Sequence, residues 1–333
     1  MRSHKDDVSW LVEYEPQPPN PLSMLSPASR HFPPVVFREG RRYLWNRVTR
    51  KALENQPEER VRLRFLDYLL LEAGWPKSRV TTETPVKFRE STRPLRADLI
   101  CYSKELQPEI LIECKAESVP LTNAVAEQIA RYNHALNASW LCITNGVQEI
   151  WFRVEGNSKA VVLDQPPLES GTTPATLHKQ YAYWVERGFA GSAASEPLQQ
   201  WLLAMLPGFW AAEGAGNISF LDIKHRPAGL QLDHFYRLTE IGETKRLALT
   251  FLATPRGETC LVGIRNEEGT SSGLFFVNLD RMLAGKEEYG MVITAGGSER
   301  VELLQQLRIN VEQPDQKWAE ELPVRVDRMF DRV

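Results

Sequence analysis

The segment RADLICYSKELQPEILIECKAES, residues 96–118, holds two strand-like apolar runs and places ionisable groups within them: Asp98 at the head of the first, Glu113 and Lys115 inside the second. Charges in runs that read as buried are costly unless they are paired, bound to a metal or open to a cleft. Side chains alternate faces along a strand, so Glu113 and Lys115 point one way while Ile112 and Cys114 point the other. At a rise of ~3.3 Å per residue the two polar heads stand about 6.6 Å apart along the strand. Asp98, on the preceding strand of a meander, can approach the same face. Two carboxylates converging from neighbouring strands make a hard oxygen site suited to Mg²⁺ or Mn²⁺. A lysine beside such a site can orient an attacking water, help it lose its proton, or offset charge on a phosphate in the transition state. The plainer reading of Glu113 and Lys115 is a structural ion pair on a sheet face, which would stabilise by only ~0–1 kcal/mol.

Two further elements bring side chains toward this face. NAVAEQIARYNHALN, residues 123–137, has helical spacing and puts Gln128 and Tyr132 four apart, hence on one side of the helix; an ordinary half-buried helix face is the alternative. Upstream, PEERVRLRFLDYLLLEAGWP starts at Pro57 with acidic residues in its first turn and stops at Gly74 and Pro76. Its Glu59 either supplies another carboxylate to the metal region or simply complements the helix N-terminus.

Stepping along the chain, residues 14–34 carry seven prolines and little periodicity, and predict an extended arm. After the first helix come strand-like runs at 84–88, 97–103 and 109–117, then the 123–137 helix, then runs at 139–146 and 148–154. Residues 156–178, rich in Gly, Pro and Ser/Thr, mark a boundary. Beyond it two helical segments, including SEPLQQWLLAMLPGFW, precede five runs separated by turn signals, which predict a mostly antiparallel β domain built as a sandwich or barrel with smaller helices at its ends. The expected organisation is an arm at 1–56, a first domain at 57–155, a linker at 156–178 and a second domain at 179–333.

The composition, 42% hydrophobic and 25% charged, is that of a soluble globular protein. No apolar run approaches the roughly 18 residues of a membrane span, and MRSHKDDVSW lacks the apolar core of a secretory signal, so a cytoplasmic protein is expected. The four cysteines show no metal or redox spacing and read as reduced. His134, His225 and His234 likewise have no metal-ligand spacing. Trp201 and Trp210 lie on a helical stripe and read as core rather than as a base-stacking platform. The formal net charge of -3 excludes a global nucleic-acid signature. Locally, Arg38, Arg41, Arg42, Arg47, Arg50 and Lys51 form a basic cluster that either contacts phosphates, with Arg41 and Arg42 foremost, or is a solvated face.

Taken in order, Asp98, then Glu113-Cys114-Lys115 on the next strand, then Gln128 and Tyr132 on the following helix, resemble the PD-(D/E)xK nuclease superfamily. The likeness is to the N-terminal nuclease domain of type I restriction enzyme R subunits and their stand-alone relatives, and it takes in PEERVR and GWP, RADLICY, ILIECKAES, QIARYN and LCITNG across residues 57–154. The resemblance implies an α+β, restriction-endonuclease-like αβββαβ core and Mg²⁺- or Mn²⁺-dependent endonucleolytic hydrolysis of DNA. It implies Asp98 and Glu113 as metal ligands, Lys115 as catalytic, and Glu59 as the acidic position of the first helix. Gln128 and Tyr132 match a QxxxY feature that supports the site or contacts the DNA backbone. The 333 residues contain no GxxxxGK[ST] phosphate loop, so no ATP-driven motor is encoded within them. A non-catalytic DNA-binding or assembly module that keeps the nuclease fold is the alternative, and residues 179–333 are expected to engage a protein partner or position the DNA.

Overall fold

The computed structural model describes residues 22–86, 95–155, 159–168, 174–210, 218–223, 231–268, 270–285, 289–294, 297–302, 307, 309–310, 314 and 316–331. The chain forms two compact units. One holds the described residues up to Val36 together with Tyr43–Thr176; the other holds Phe37–Arg42 and the chain from Leu177 onward.

In the first unit, the long helix α1 (Pro57–Leu71) begins with proline, whose missing N–H costs nothing in the first turn, and with Glu58 and Glu59 beside the positive end of the helix dipole. Val61, Phe65 and Leu69 are fully buried against the sheet, and the polar flank is buried too: Arg60, Arg62, Arg64 and Asp67 all lie below one-tenth exposure. The helix stops where Gly74 takes φ +66°, a conformation open to glycine, so that the Trp75 N–H closes back on the Leu69 carbonyl at 2.8 Å.

The strands β5 (Val80–Val86), β6 (Leu95–Tyr102) and β7 (Pro108–Cys114) follow as an antiparallel meander. The helix α2 (Asn123–Leu136) then crosses over to β8 (Trp140–Thr144), which pairs parallel with β7, and β9 (Gln148–Glu155) returns antiparallel. This is the αβββαβ order expected from the sequence, within an α+β architecture. Hydrophobic residues on one sheet face, among them Leu99, Cys101, Ile112 and Trp151, pack on α1. Those on the other, including Ile100, Leu111 and Ile143, pack with Val125 and Ile129 of α2.

Two segments differ from the sequence expectation. Residues 22–56, expected as an arm, contribute β1 (Met24–Leu25), which pairs with β9, and β2 (Val35–Arg38), β3 (Arg41–Asn46) and β4 (Lys51–Leu53), which form a three-stranded sheet. Residues 156–178, expected as a linker, contain β10 (Lys159–Leu163), paired along β9, and a short helix α3 (Pro174–Leu177). The β1 contact is locked by Glu149, which is fully buried. The Ser26 hydroxyl donates to its Oε2 and the Trp151 indole N–H to its Oε1, each at 2.7 Å. Burial pushes the Glu149 carboxyl up to about 7 in spite of these two donors.

In the second unit, α4 (Tyr181–Glu186) and α5 (Glu196–Trp210) precede β11 (Ile218–Leu221), β12 (His234–Ile241), β13 (Lys245–Ala253), β14 (Thr259–Glu267) and β15 (Thr270–Asn278). After α6 (Leu279–Leu283) come β16 (Tyr289–Thr294), β17 (Gly297–Glu302) and α7 (Gln316–Phe330). The sandwich or barrel expectation is corrected: β11 to β17 make one seven-stranded antiparallel sheet in sequential order, with no β11–β17 pairing among the described residues. Helices take the place of a second sheet. Val326 and Phe330 of α7 reach so close to Gly263 and Gly273 that a Cβ at either would stand 3.0 Å or less from them. Trp201 packs edge-on to Trp318 and Phe251, and both Trp201 and Trp210 are buried, in line with their reading as core. Among the described residues no helix is long and apolar enough to cross a membrane.

Candidate active site

The site forms where the β6–β7 ladder opens. Leu99 opposes Ile112, and the next step would set Asp98 against Glu113, but paired positions end there. Instead β7 finishes at Cys114 beside Thr144 of β8, and the Lys115 N–H bonds the Thr144 carbonyl at 2.8 Å. The Asp98 side chain fills the opening, its Oδ2 accepting the Cys114 N–H at 2.8 Å. On the other side of β6, Thr82 opposes Leu99 and Thr84 opposes Ala97, which brackets Glu83 opposite Asp98. Glu83, Asp98 and Glu113 therefore occupy corresponding positions on three neighbouring strands. Glu83 has φ +53°, a left-handed conformation unusual for a residue other than glycine in a strand.

Two clusters of charge meet on this row. On the α2 side, Lys115 Nζ donates to Glu113 Oε1 at 2.7 Å and to Gln128 Oε1 at 3.3 Å, while Gln128 Nε2 donates to the same Glu113 oxygen at 2.6 Å. The amide thus ties together the carboxylate and the ammonium predicted from the sequence. On the α1 side, Arg62 spans three carboxylates: its Nη1 lies 2.5 Å from Glu59 Oε1 and 3.0 Å from Glu83 Oε1, and its Nη2 lies 3.0 Å from Asp98 Oδ1. Arg96 adds a second cation on Glu83.

The protonation of these groups follows from burial. Glu113, with its side chain 6% exposed, is pushed up to about 7 by burial and by the charge of Asp98, against the hydrogen bond and charge of Lys115. Burial also raises Asp98, with Arg62 and the Cys114 N–H pulling the other way. Glu59 is raised by burial and lowered by Arg62. Burial works against the charge of Arg62, yet Asp98 and Glu59 hold its pKa above the ordinary value. Four carboxylates face Arg62, Lys115 and the largely exposed Arg96, so the cluster is short of positive charge.

A divalent cation fits this donor set. Among the described residues no three His, Cys, Asp or Glu side chains form a ready-made cage, but Mg²⁺ keeps most of its waters and is commonly held by one or two carboxylates and a phosphate. Asp98 and Glu113 supply such a pair. Glu59 Oε2 is buried with no hydrogen-bond partner among the described residues, an acceptor without a donor.

The structure brings Asp98, Glu113, Lys115 and Gln128 together and places Glu59 beside Asp98 through Arg62. Tyr132 lies on α2, but its side chain falls outside the described residues. Arg41 and Arg42 belong to the other compact unit. There Arg42 is half-buried and donates to the Asp233 and Ala253 carbonyls at 2.9 and 3.2 Å, so main-chain acceptors hold its guanidinium. Arg62 and Glu83 were missed by sequence reasoning. The clue for Arg62 was its i+3 spacing from Glu59; Glu83 gave none.

Residues 57–167, one third of the chain, match the family model of the type I restriction enzyme R protein N terminus. This segment resembles that nuclease domain, and it contains every element that carries the site. No curated protein matches the chain, and no solved structure matches it.

Proposed function

We propose that the first unit is a divalent-metal-dependent deoxyribonuclease, with DNA as its partner and the cytoplasm as its setting. The observation that carries the reading is the opposition of Asp98 and Glu113 on parting strands, with Lys115 Nζ 2.7 Å from Glu113. Asp98 and Glu113 would hold Mg²⁺ or Mn²⁺, which when bound polarises a phosphate oxygen and acidifies water. Lys115 presents an ammonium at the mouth of the site, where it orients the water that attacks phosphorus and offsets charge as the P–O bond to the leaving strand breaks. Gln128 holds Glu113 and Lys115 in one arrangement. Arg62 fixes Asp98 and Glu59.

One observation favours the second reading, a DNA-binding or assembly module without cleavage: Arg62 already supplies a cation to Asp98 Oδ1. Incubation of purified protein with plasmid, linear and single-stranded DNA in Mg²⁺, Mn²⁺ or EDTA separates the two. Metal-dependent cutting that disappears in Lys115→Ala and Asp98→Ala is the expected result. Cutting retained in Lys115→Ala removes its assigned role, and DNA binding without cutting by the wild type selects the second reading.

A further inference from the structure

At the C-terminal end of α1, away from the carboxylates, a cleft of about 520 Å³ is lined by Trp45, Trp75, Leu70, Arg47, Arg50 and Lys77, among others. That volume lies within the ~300–1,000 Å³ range of small-molecule sites. Every charged residue on its wall is a cation. Behind the wall Asp67, buried, lies 3.4 Å from Arg47 Nε. Arg50 and Lys77 are exposed, with no side-chain hydrogen bond or ion pair to any described residue.

The wall is held from behind. Asn46 Oδ1 accepts the Val48 and Thr49 N–H groups, and Arg50 closes the β3–β4 turn in a left-handed conformation at φ +56°. The Trp75 indole N–H donates to the Arg79 carbonyl at 3.2 Å, and the Arg79 guanidinium lies 5.3 Å from the ring centroid. Both indoles remain only half-buried. Two flat, partly open rings beside Arg50 and Lys77, which no described carboxylate pairs, match a flat aromatic ligand carrying anionic oxygens.

We propose that this cleft binds a nucleoside phosphate, its base laid against the Trp45 and Trp75 side and its phosphate oxygens taken by Arg50 and Lys77. The assignment of its source, an unpaired nucleotide of a DNA strand, rests on the nuclease reading of the same unit. Glu59 and Leu71 are twelve residues apart on α1, ~18 Å at 1.5 Å per residue. That is about five nucleotides at the ~3.4 Å rise of one strand, so one strand can span both places.

The test uses the full chain in EDTA, which silences cleavage, with a fluorescent twelve-nucleotide oligothymidylate as probe and thymidine monophosphate and inorganic phosphate as competitors. Arg50→Glu with Lys77→Glu should weaken oligonucleotide binding at least tenfold and reduce the salt slope by roughly 1.4, from ~0.7 per phosphate contact on a single strand. Trp45→Ala should weaken it about 5- to 150-fold, the range of one base stack, without altering the slope, and Trp45→Phe should restore most of it. Circular dichroism checks that each variant is folded. Competition by the monophosphate as strong as by the unlabelled oligonucleotide assigns the cleft to free nucleotides, and weaker competition assigns it to a strand. Wild-type affinity in these variants, or inorganic phosphate competing as well as the monophosphate, overturns the proposal. Metal-dependent cleavage measured in parallel keeps the two readings apart: cutting with no cleft effect sinks the cleft alone, and cleft binding without cutting sinks the nuclease alone.

Discussion

Replacing Glu149 with glutamine isolates the free-energy effect of a buried carboxyl. Glu149 is fully buried, and its pKa stands at about 7 against an ordinary 4.5. Because the folded value is raised, the stabilising contribution is fully present below pH 4.5. It is lost as pH rises through 7, where the folded state must hold a desolvated charge. A displacement of about 2.5 pH units at ~1.36 kcal/mol each gives about 3 kcal/mol lost between pH 4.5 and pH 8. Glutamine keeps the shape: its carbonyl can accept the Trp151 N–H, and its amide can donate to Ser26 once the hydroxyl rotates. Hydrogen–deuterium exchange of β8 and β9 in the full chain is the suitable assay, because two compact units make a single global unfolding energy ill-defined. Protection in Glu149→Gln should exceed that of wild type by about 3 kcal/mol at pH 8 and match it near pH 4.5. Equal pH dependence in the two proteins, or protection lost in the variant at both pH values, would refute the reasoning.

Three other outcomes are expected. Mn²⁺ affinity, read by calorimetry, should rise toward pH 7 and level off above it, with proton release falling from about one per ion at acid pH toward none, because Glu113, raised to about 7, must ionise to bind; a flat profile removes Glu113 from the ligand set. Arg62→Gln should destabilise the first unit by about 3–5 kcal/mol, since three partly buried carboxylates lose their shared cation, and exchange protection of α1 and β6 should report it. Gly191→Ala should destabilise the second unit by ~1–3 kcal/mol, because its Cβ would stand 2.1 Å from the Gly257 carbonyl oxygen and force the backbone apart, and exchange protection of β13 and β14 should report it.

Much of the site was legible because its chemistry sits on periodic elements. Asp98, Glu113 and Lys115 are ionisable groups in apolar runs, and Gln128 falls on a helix whose apolar stripe fixes its facing. Arg62 was not legible. Between Arg60 and Arg64 it looks like one charge of a solvated helix flank, and only the packing of α1 against β5 and β6 makes it a bridge. Glu83 escaped because TTETPV gave no clear start to β5 and because a left-handed backbone at a glutamate has no local signal. β1 and β2 lie beside the prolines of residues 14–34, and β3 and β4 read as part of a basic cluster; β1 exists through pairing with residues far along the chain. In the second unit the individual strands could be read, but the number of sheets could not. That number depends on whether a helix or another sheet covers the apolar face; smaller helices were expected at the ends of this domain, but not that α7 would cover its sheet.

The pairing of β1 with β9 also sets an order of events. Met24 and Leu25 meet Glu149 and Gln148, so β1 cannot dock until more than a hundred further residues have been made. Closing so long a loop for a two-residue strand is entropically poor until its partner surface is already formed. The seventh strand of that sheet is thus a late arrival that seals a nearly finished structure, whereas β11 to β17 can each zip onto the strand just completed. Until β1 docks, Gln148 and Glu149 of the β9 edge lack their partner, while β10 takes Trp151 onward, and the Ser26 hydroxyl on Glu149 closes the gap.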